Sequence, residues 1–435
     1  MQLTEDQILS LAPDESSRKS GKDLANPAKW VSKGINELAL WGECQGSGSK
    51  PYQTQVDVAS IAFKCSCPSR KFPCKHGIGL MLLHARQAAS FTDNTAPAWV
   101  AEWIDKRSKR EEKKAETAAK PVDEAAQAKR KEAREQSVED GMEELLRWMK
   151  DIVRNGILNI PEKDPAYFAD MARRMIDAKS PGLAGMVRTL GSLNFYREGW
   201  QSQFMDQLSR IYLVISGFRN REGLPAPLLE DVRSWTGFTQ SQEELKAQPG
   251  ITDTWIVLGK QTIEEDSLLT ERNWLYGTQS KRYALVLQFS VRGQGLAFSI
   301  SPGMHIQATL VFYPSAQPLR AIIREQHSTR VQEPYTPCSG WQEVSAASAA
   351  IYRELPFDAE RPFIVQQVKP VQQDGQWWLC DQDSHIVRIK NNFKQLYTLL
   401  SISGGQPLDM AVLGREHVYE PMGVWSGGQY FHLTN

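Results

Sequence analysis

The twelve residues Cys65-Ser66-Cys67-Pro68-Ser69-Arg70-Lys71-Phe72-Pro73-Cys74-Lys75-His76 constrain this chain more than any other stretch. Two cysteines stand two apart, six residues intervene, and a cysteine and a histidine follow at the same spacing. In extended backbone, residues two apart point to one side. Cys65 and Cys67 can therefore offer both sulfurs to one ion, and Cys74 and His76 can close the other half. Three thiolates and one imidazole make a complete tetrahedral set with no position left for water, the pattern of a structural zinc site rather than a catalytic one. Pro68 and Pro73 stiffen the intervening loop and lower the entropy cost of closing it.

The remaining cysteines sharpen this reading. Six in 435 residues are too few for a disulfide framework, and Cys44, Cys338 and Cys380 are scattered outside the motif. That usage fits a reducing compartment. Lys+Arg and Asp+Glu both total 51, so the net charge is zero. A neutral total argues against wholesale coating of nucleic acid but leaves local patches open. No basic start followed by an apolar run opens the chain, and no apolar run of eighteen residues occurs, so the expectation is a cytoplasmic protein with no membrane partner. The length suits two to four domains.

Read in order, the chain divides by texture. Thr4-Glu5-Asp6-Gln7 has the form of a capping box opening a short helix that Pro13-Asp14 stops. Trp30 to Leu40 is loosely amphipathic, and Gly42 to Lys50 is a turn-rich loop. Tyr52 to Val58 and Ile61 to Cys67 alternate like strands, and Ile78, Met81, Leu82 and Ala85 recur at helical spacing. Residues 1–98 thus read as a small ββα zinc finger with an N-terminal elaboration, in which the metal supplies much of the folding free energy. Residues 99–136 read as a charged Ala/Lys/Glu-rich linker, helical or disordered, after an amphipathic turn at Trp99, Val100, Trp103 and Ile104. From Ser137 to residue 248, four apolar helical stripes joined by short connections predict a helical bundle. The first runs from Met142 to Val153, the second over Ala166–Lys179, the third through Leu183 to Leu190, and the fourth onward from Gln203. From 249 to 435 the pattern changes to short apolar or alternating runs divided by Gly, Pro and Asn, an antiparallel β-rich region of one or two domains. Its first series includes Trp255–Leu258, Ala284–Val291, Leu296–Ile300, Ala308–Tyr313 and Leu319–Ile323, and a helix near Asn392–Ser401 interrupts the second. The fold class is multidomain α+β.

Enzymatic motifs are not evident. Gly46-Ser47-Gly48-Ser49-Lys50 lacks the spacing of a phosphate loop and no apolar strand precedes it. His305, His327, His385, His417 and His432 stand alone, and His84 lies on the helix beyond an already complete ligand set. The expectation is a non-enzymatic protein, although a site assembled from distant β-region residues cannot be read from spacing. Between Val58 and Thr92 the charged residues are Lys64, Arg70, Lys71, Lys75 and Arg86, with no acid among them. Cations there can contact phosphate, or they can offset the charge of an anionic metal centre and hydrogen-bond its sulfurs.

At the motif residues the chain resembles the SWIM zinc-finger family, whose pattern is CxC, a variable spacer, then CxH. Cys65, Cys67, Cys74 and His76 match it completely, and Trp41-Gly42-Glu43-Cys44-Gln45-Gly46-Ser47-Gly48 with Pro51-Tyr52 looks like the lead-in of the bacterial members. A looser similarity extends over nearly the whole chain. The resemblance implies structural Zn2+ on those four residues. It also implies a setting beside a MoxR-type AAA+ ATPase and a von Willebrand A-domain protein as candidate partners. The helicase, transposase and ubiquitin-ligase activities of other SWIM proteins do not carry over, since neither a helicase loop nor a RING-type cysteine array is present. Two functions follow as expectations: an adaptor whose finger binds a protein partner through Lys64, Arg70, Lys71 and Lys75, or a DNA-binding protein using the same basic face.

Overall fold

A computed structural model describes residues 3–46, 48, 50–69, 71, 73–117, 124–164, 166–265, 268–291, 298–330, 334–357 and 360–433. The predicted capping box opens helix α1 (Glu5–Ser10): Thr4 Oγ1 accepts from the Gln7 N–H, and the Gln7 side chain accepts from the Thr4 N–H. Asp14 ends this turn, and its carboxylate also accepts from the Ser17 N–H at 2.7 Å, capping a second helix α2 (Glu15–Leu24) that the sequence reading did not anticipate.

The amphipathic stretch after Trp30 is not a helix. It is the hairpin of β1 (Trp30–Ile35) and β2 (Ala39–Cys44), continued antiparallel by β3 (Tyr52–Asp57) and β4 (Phe63–Cys65). The expected ββα finger is thus a four-stranded sheet with helices. Strand alternation fails in β2 because both of its faces are covered. Leu40 joins the core under α3 (Lys75–Arg86), while Ala39 and Trp41 pack against Val100 of α4 (Ala98–Thr117). Helices α2 and α3 touch through glycines. A Cβ on Gly21 would lie 2.6 Å from Ile78 Cγ2, and one on Gly79 would lie 2.6 Å from Leu24 Cβ. Only glycine permits that approach.

The charged stretch lies in α4 and in α5 (Glu124–Asn155), with residues 118–123 outside the described residues. Ser137 therefore sits within α5 rather than opening a helix. The α5 residues Val138, Met142, Leu145, Met149 and Ile152 pack with α6 (Ala166–Asp177), α7 (Pro181–Gly191), α8 (Trp200–Arg219) and α9 (Ala226–Thr236) into one apolar core, the predicted bundle. Arg134 donates to the Gly237 carbonyl and Glu135 pairs with Arg233 at 3.0 Å, so the bundle grips α5 two residues before Ser137.

Beyond the short α10 (Gln242–Lys246), five strands close a barrel: β5 (Ile251–Glu265), β6 (Leu268–Gly277), β7 (Tyr283–Val291), β8 (His305–Phe312) and β9 (Arg320–Arg330), in the order β5-β6-β7-β9-β8. All pairings are antiparallel except β7 with β9. A closed barrel whose third strand runs parallel to its fifth has the connectivity of the OB-type barrel. Of the expected run Leu296–Ile300, residues 296 and 297 lie outside the described residues and 298–300 are not in a strand.

Helix α11 (Trp341–Glu354) leads into a six-stranded sheet ordered β12-β11-β10-β13-β14-β15. Its strands are β10 (Arg361–Gln373), β11 (Gln376–Cys380), β12 (Ile386–Ile389), β13 (Leu408–Arg415), β14 (Val418–Ser426) and β15 (Gln429–His432). Helix α12 (Leu396–Ser403) interrupts the strand series as expected. The β region therefore holds two separate sheets. Ile256, Leu258, Trp274 and Tyr276 of the barrel join them by packing against Ile364, Ala411, Leu413 and Met422. The N-terminal unit shares a core with the barrel on its other side, where the Ser299 N–H donates to the Ser60 carbonyl. Among the described residues, no helix is long and apolar enough to cross a membrane.

Candidate metal centre

Each of the four motif residues is positioned by a different local device. Cys65 ends β4, where the ladder sets it opposite Thr54 of β3, and the Thr54 hydroxyl lies 3.2 Å from its sulfur. Cys67 follows in the loop, hydrogen-bonded by the Ser69 backbone. Cys74 is the extended residue that precedes α3, and His76 lies in the first turn of that helix, 4 % exposed and with its ring 5.0 Å from that of Tyr52.

The arrangement fits a tetrahedral ion. One ligand atom from each of Cys65, Cys67, Cys74 and His76 can be chosen so that all lie within 4.8 Å of one another. His76 Nδ1 stands 3.7 Å from Cys65 Sγ and 4.0 Å from Cys74 Sγ. Donors held at zinc–sulfur and zinc–nitrogen distances of about 2.0–2.3 Å, at tetrahedral angles, lie roughly 3.5–4 Å apart. Crowding also perturbs the titration of these donors. Hydrogen bonds from the Cys65 and Cys74 thiols drive Cys67 far below the ordinary thiol range, while the same crowding with Cys65 and Cys67 drives Cys74 far above it. Burial works to lower the pKa of His76, but hydrogen bonds with Cys65 and Cys67 outweigh it and hold the value at about 9. Three thiols this close cannot share negative charge without a compensating cation, which a divalent ion held by these residues would supply.

Cys44, buried on β2, has its thiol pushed up to about 11 by burial first and by Cys65 second; it stays outside the donor set. Cys338 and Cys380 are free thiols in the C-terminal part.

The basic residues separate. Lys64, just before Cys65, and Lys75, between Cys74 and His76, are both exposed. Lys71 instead pairs with Asp14 at 2.6 Å, and Arg86 grips Glu5 through two hydrogen bonds of 2.6 and 2.9 Å. Arg70 lies outside the described residues. Sequence reasoning missed Thr54, Tyr52 and Asp14 as supports. The register of β3 on β4 could have located the first, whereas Asp14 read only as a helix stop.

A family model described as a SWIM-associated four-helix bundle domain matches residues 133–236, the bundle rather than the metal loop. No curated protein and no solved structure matches the chain.

Proposed function

We propose that the protein is a zinc-binding, non-catalytic adaptor. In this reading Cys65, Cys67, Cys74 and His76 hold a structural zinc, and the metal-stapled N-terminal unit presents a recognition surface. The observation that carries the reading is the clustering of four donors that leaves no coordination position for water or substrate. When bound, the zinc supplies folding free energy and neutralises thiolate charge. The chain's own part is to hold the loop. Thr54 orients Cys65, α3 places Cys74 and His76, and the Lys71–Asp14 pair ties the loop to α2. Lys64 and Lys75 remain to meet an acidic partner surface, with Arg70 as a third candidate contact on sequence grounds. The matched bundle domain supports placing the chain with SWIM-associated proteins. From the sequence resemblance, a MoxR-type AAA+ ATPase and a von Willebrand A-domain protein are the partners to try first.

A second reading, nucleic-acid binding, gains from the barrel as well as from the basic finger. The β6–β7 outer face of an OB-type barrel is its oligonucleotide surface. Here Trp274 and Tyr276 of that face are buried under the C-terminal sheet, while Phe289 is 51 % exposed. Titrating purified ATPase and labelled single- and double-stranded DNA against the intact protein and its Cys67→Ser variant, each at two salt concentrations, separates the readings. Zinc-dependent capture of the ATPase without DNA affinity supports the adaptor; salt-sensitive DNA binding without capture rejects it.

A further inference from the structure

A cavity of about 500 Å3 opens where the barrel meets the C-terminal sheet. Its wall is built around one carboxylate. Asp409 on β13 stands opposite Trp425 on β14, which in turn stands opposite Tyr430 on β15. Side chains directly opposite on adjacent strands share a face, so the acid and the two rings form a row. The Tyr335 ring closes over Trp425, with centroids 4.2 Å apart.

Asp409 is held rigidly. The Tyr335 hydroxyl donates to Oδ2 at 2.9 Å, while the backbone N–H and side-chain amide of Gln367 donate to Oδ1 at 3.1 and 3.3 Å. Burial, and then the Asp409 charge, push the Tyr335 phenol well above its ordinary pKa, so it remains a donor. Gln367 sits at the bulge of β10 with φ of 50°, a left-handed conformation that a residue with a side chain adopts at a cost. That backbone turn aims its N–H at the acid.

All three donors are neutral. Among the described residues no cationic side chain pairs with Asp409, and neither lysine nor arginine lines the cavity; besides Asp409 and Tyr335, His305, buried on β8, is a titratable lining group. A fixed carboxylate beside electron-rich ring faces, with its charge uncompensated, is the chemistry that recognises an organic cation. We propose that this cavity binds a guanidinium group, carried either by a small free cation or by an arginine side chain of a partner. The proposal goes beyond the adaptor reading and does not depend on the metal centre.

The test uses the full chain and isothermal titration with four probes: ethylguanidinium, its neutral shape-match N-ethylurea, the capped peptide Gly-Arg-Gly, and the same peptide carrying citrulline. The expected result is that one or both guanidinium probes bind at least about tenfold more tightly than their urea counterparts, as a charge-assisted contact requires. Asp409→Asn, which keeps the shape and the Tyr335 contact, should erase that difference. Preference for the peptide identifies a partner side chain as the source; equal binding of ethylguanidinium identifies a free cation. Equal binding of guanidinium and urea by the native protein, or no binding of either guanidinium probe, overturns the proposal without recourse to any variant. Undiminished discrimination in folded Asp409→Asn overturns it as well.

Discussion

Lys71 Nζ lies 2.6 Å from Asp14 Oδ2, and the same carboxylate group caps α2 through the Ser17 N–H. One side chain thus anchors the metal loop and starts a helix packed against α3. The hydrogen bond from Lys71, followed by that from Ser17, lowers the Asp14 pKa from an ordinary 3.8 to about 2. A lowered carboxyl pKa contributes stability that is full above the unfolded value and disappears as pH falls through the folded one. The stability difference between the wild type and Asp14→Ala should therefore be constant above about pH 4 and shrink towards pH 2. Near neutrality it should be about 1 kcal/mol, mostly the lost cap, because the ion pair is half-exposed. Thermal unfolding of the two proteins across that range checks both the size and the sign.

Cys67→Ser should release about one zinc per chain and unfold the N-terminal unit locally, while the helical circular-dichroism signal of the bundle persists. Metal analysis after gel filtration is the readout. Stoichiometric zinc retained by the variant would reject the ligand assignment.

Thr54→Val preserves the shape and β propensity of β3 while removing the hydroxyl 3.2 Å from the Cys65 sulfur. Partners of metal ligands are commonly worth about 10–100-fold in affinity. Competition against a chromophoric chelator should show zinc held at least about tenfold more weakly, with full occupancy recovered at excess metal.

Gly182→Ala tests the bundle. A Cβ there would lie 2.1 Å from the Trp235 carbonyl oxygen, and the obstacle is backbone that cannot swing aside. The substitution should cost about 1–3 kcal/mol, seen as an earlier unfolding midpoint in denaturant. Gly185→Ala, three residues on in α7 and with open space at its Cβ, should be neutral or slightly stabilising.

The local features were legible because their determinants are close in sequence. The Cys/His spacing singled out Cys65, Cys67, Cys74 and His76, which the fold clusters, the capping box located α1, and the apolar stripe from Met142 to Val153 located the bundle portion of α5. The hairpin of β1 and β2 was missed because Leu40 and Trp41 are buried on opposite faces, which removes the alternation that marks a half-exposed strand. Closure of the barrel was hidden for another reason. It depends on Leu285 and Val286 meeting Arg320 and Ala321 in parallel, a pairing with no local signature, and bulges in β5 and β8–β9 shift the inward-facing register. Polar side chains inside, such as Asn273 and Gln288, disguise it further.

The interior shared by the N-terminal unit and the barrel bears on how the chain matures. Leu40, Ile61 and Ile78 leave the ribosome long before Trp255, Leu275 and Ile306, yet all belong to one packed cluster. Metal capture can organise the early segment at once, but its apolar flank stays uncovered until the barrel has been synthesised. In the zinc-bound reading proposed above, the ion would serve as a placeholder during biogenesis, keeping a half-built surface in register for neighbours that arrive late.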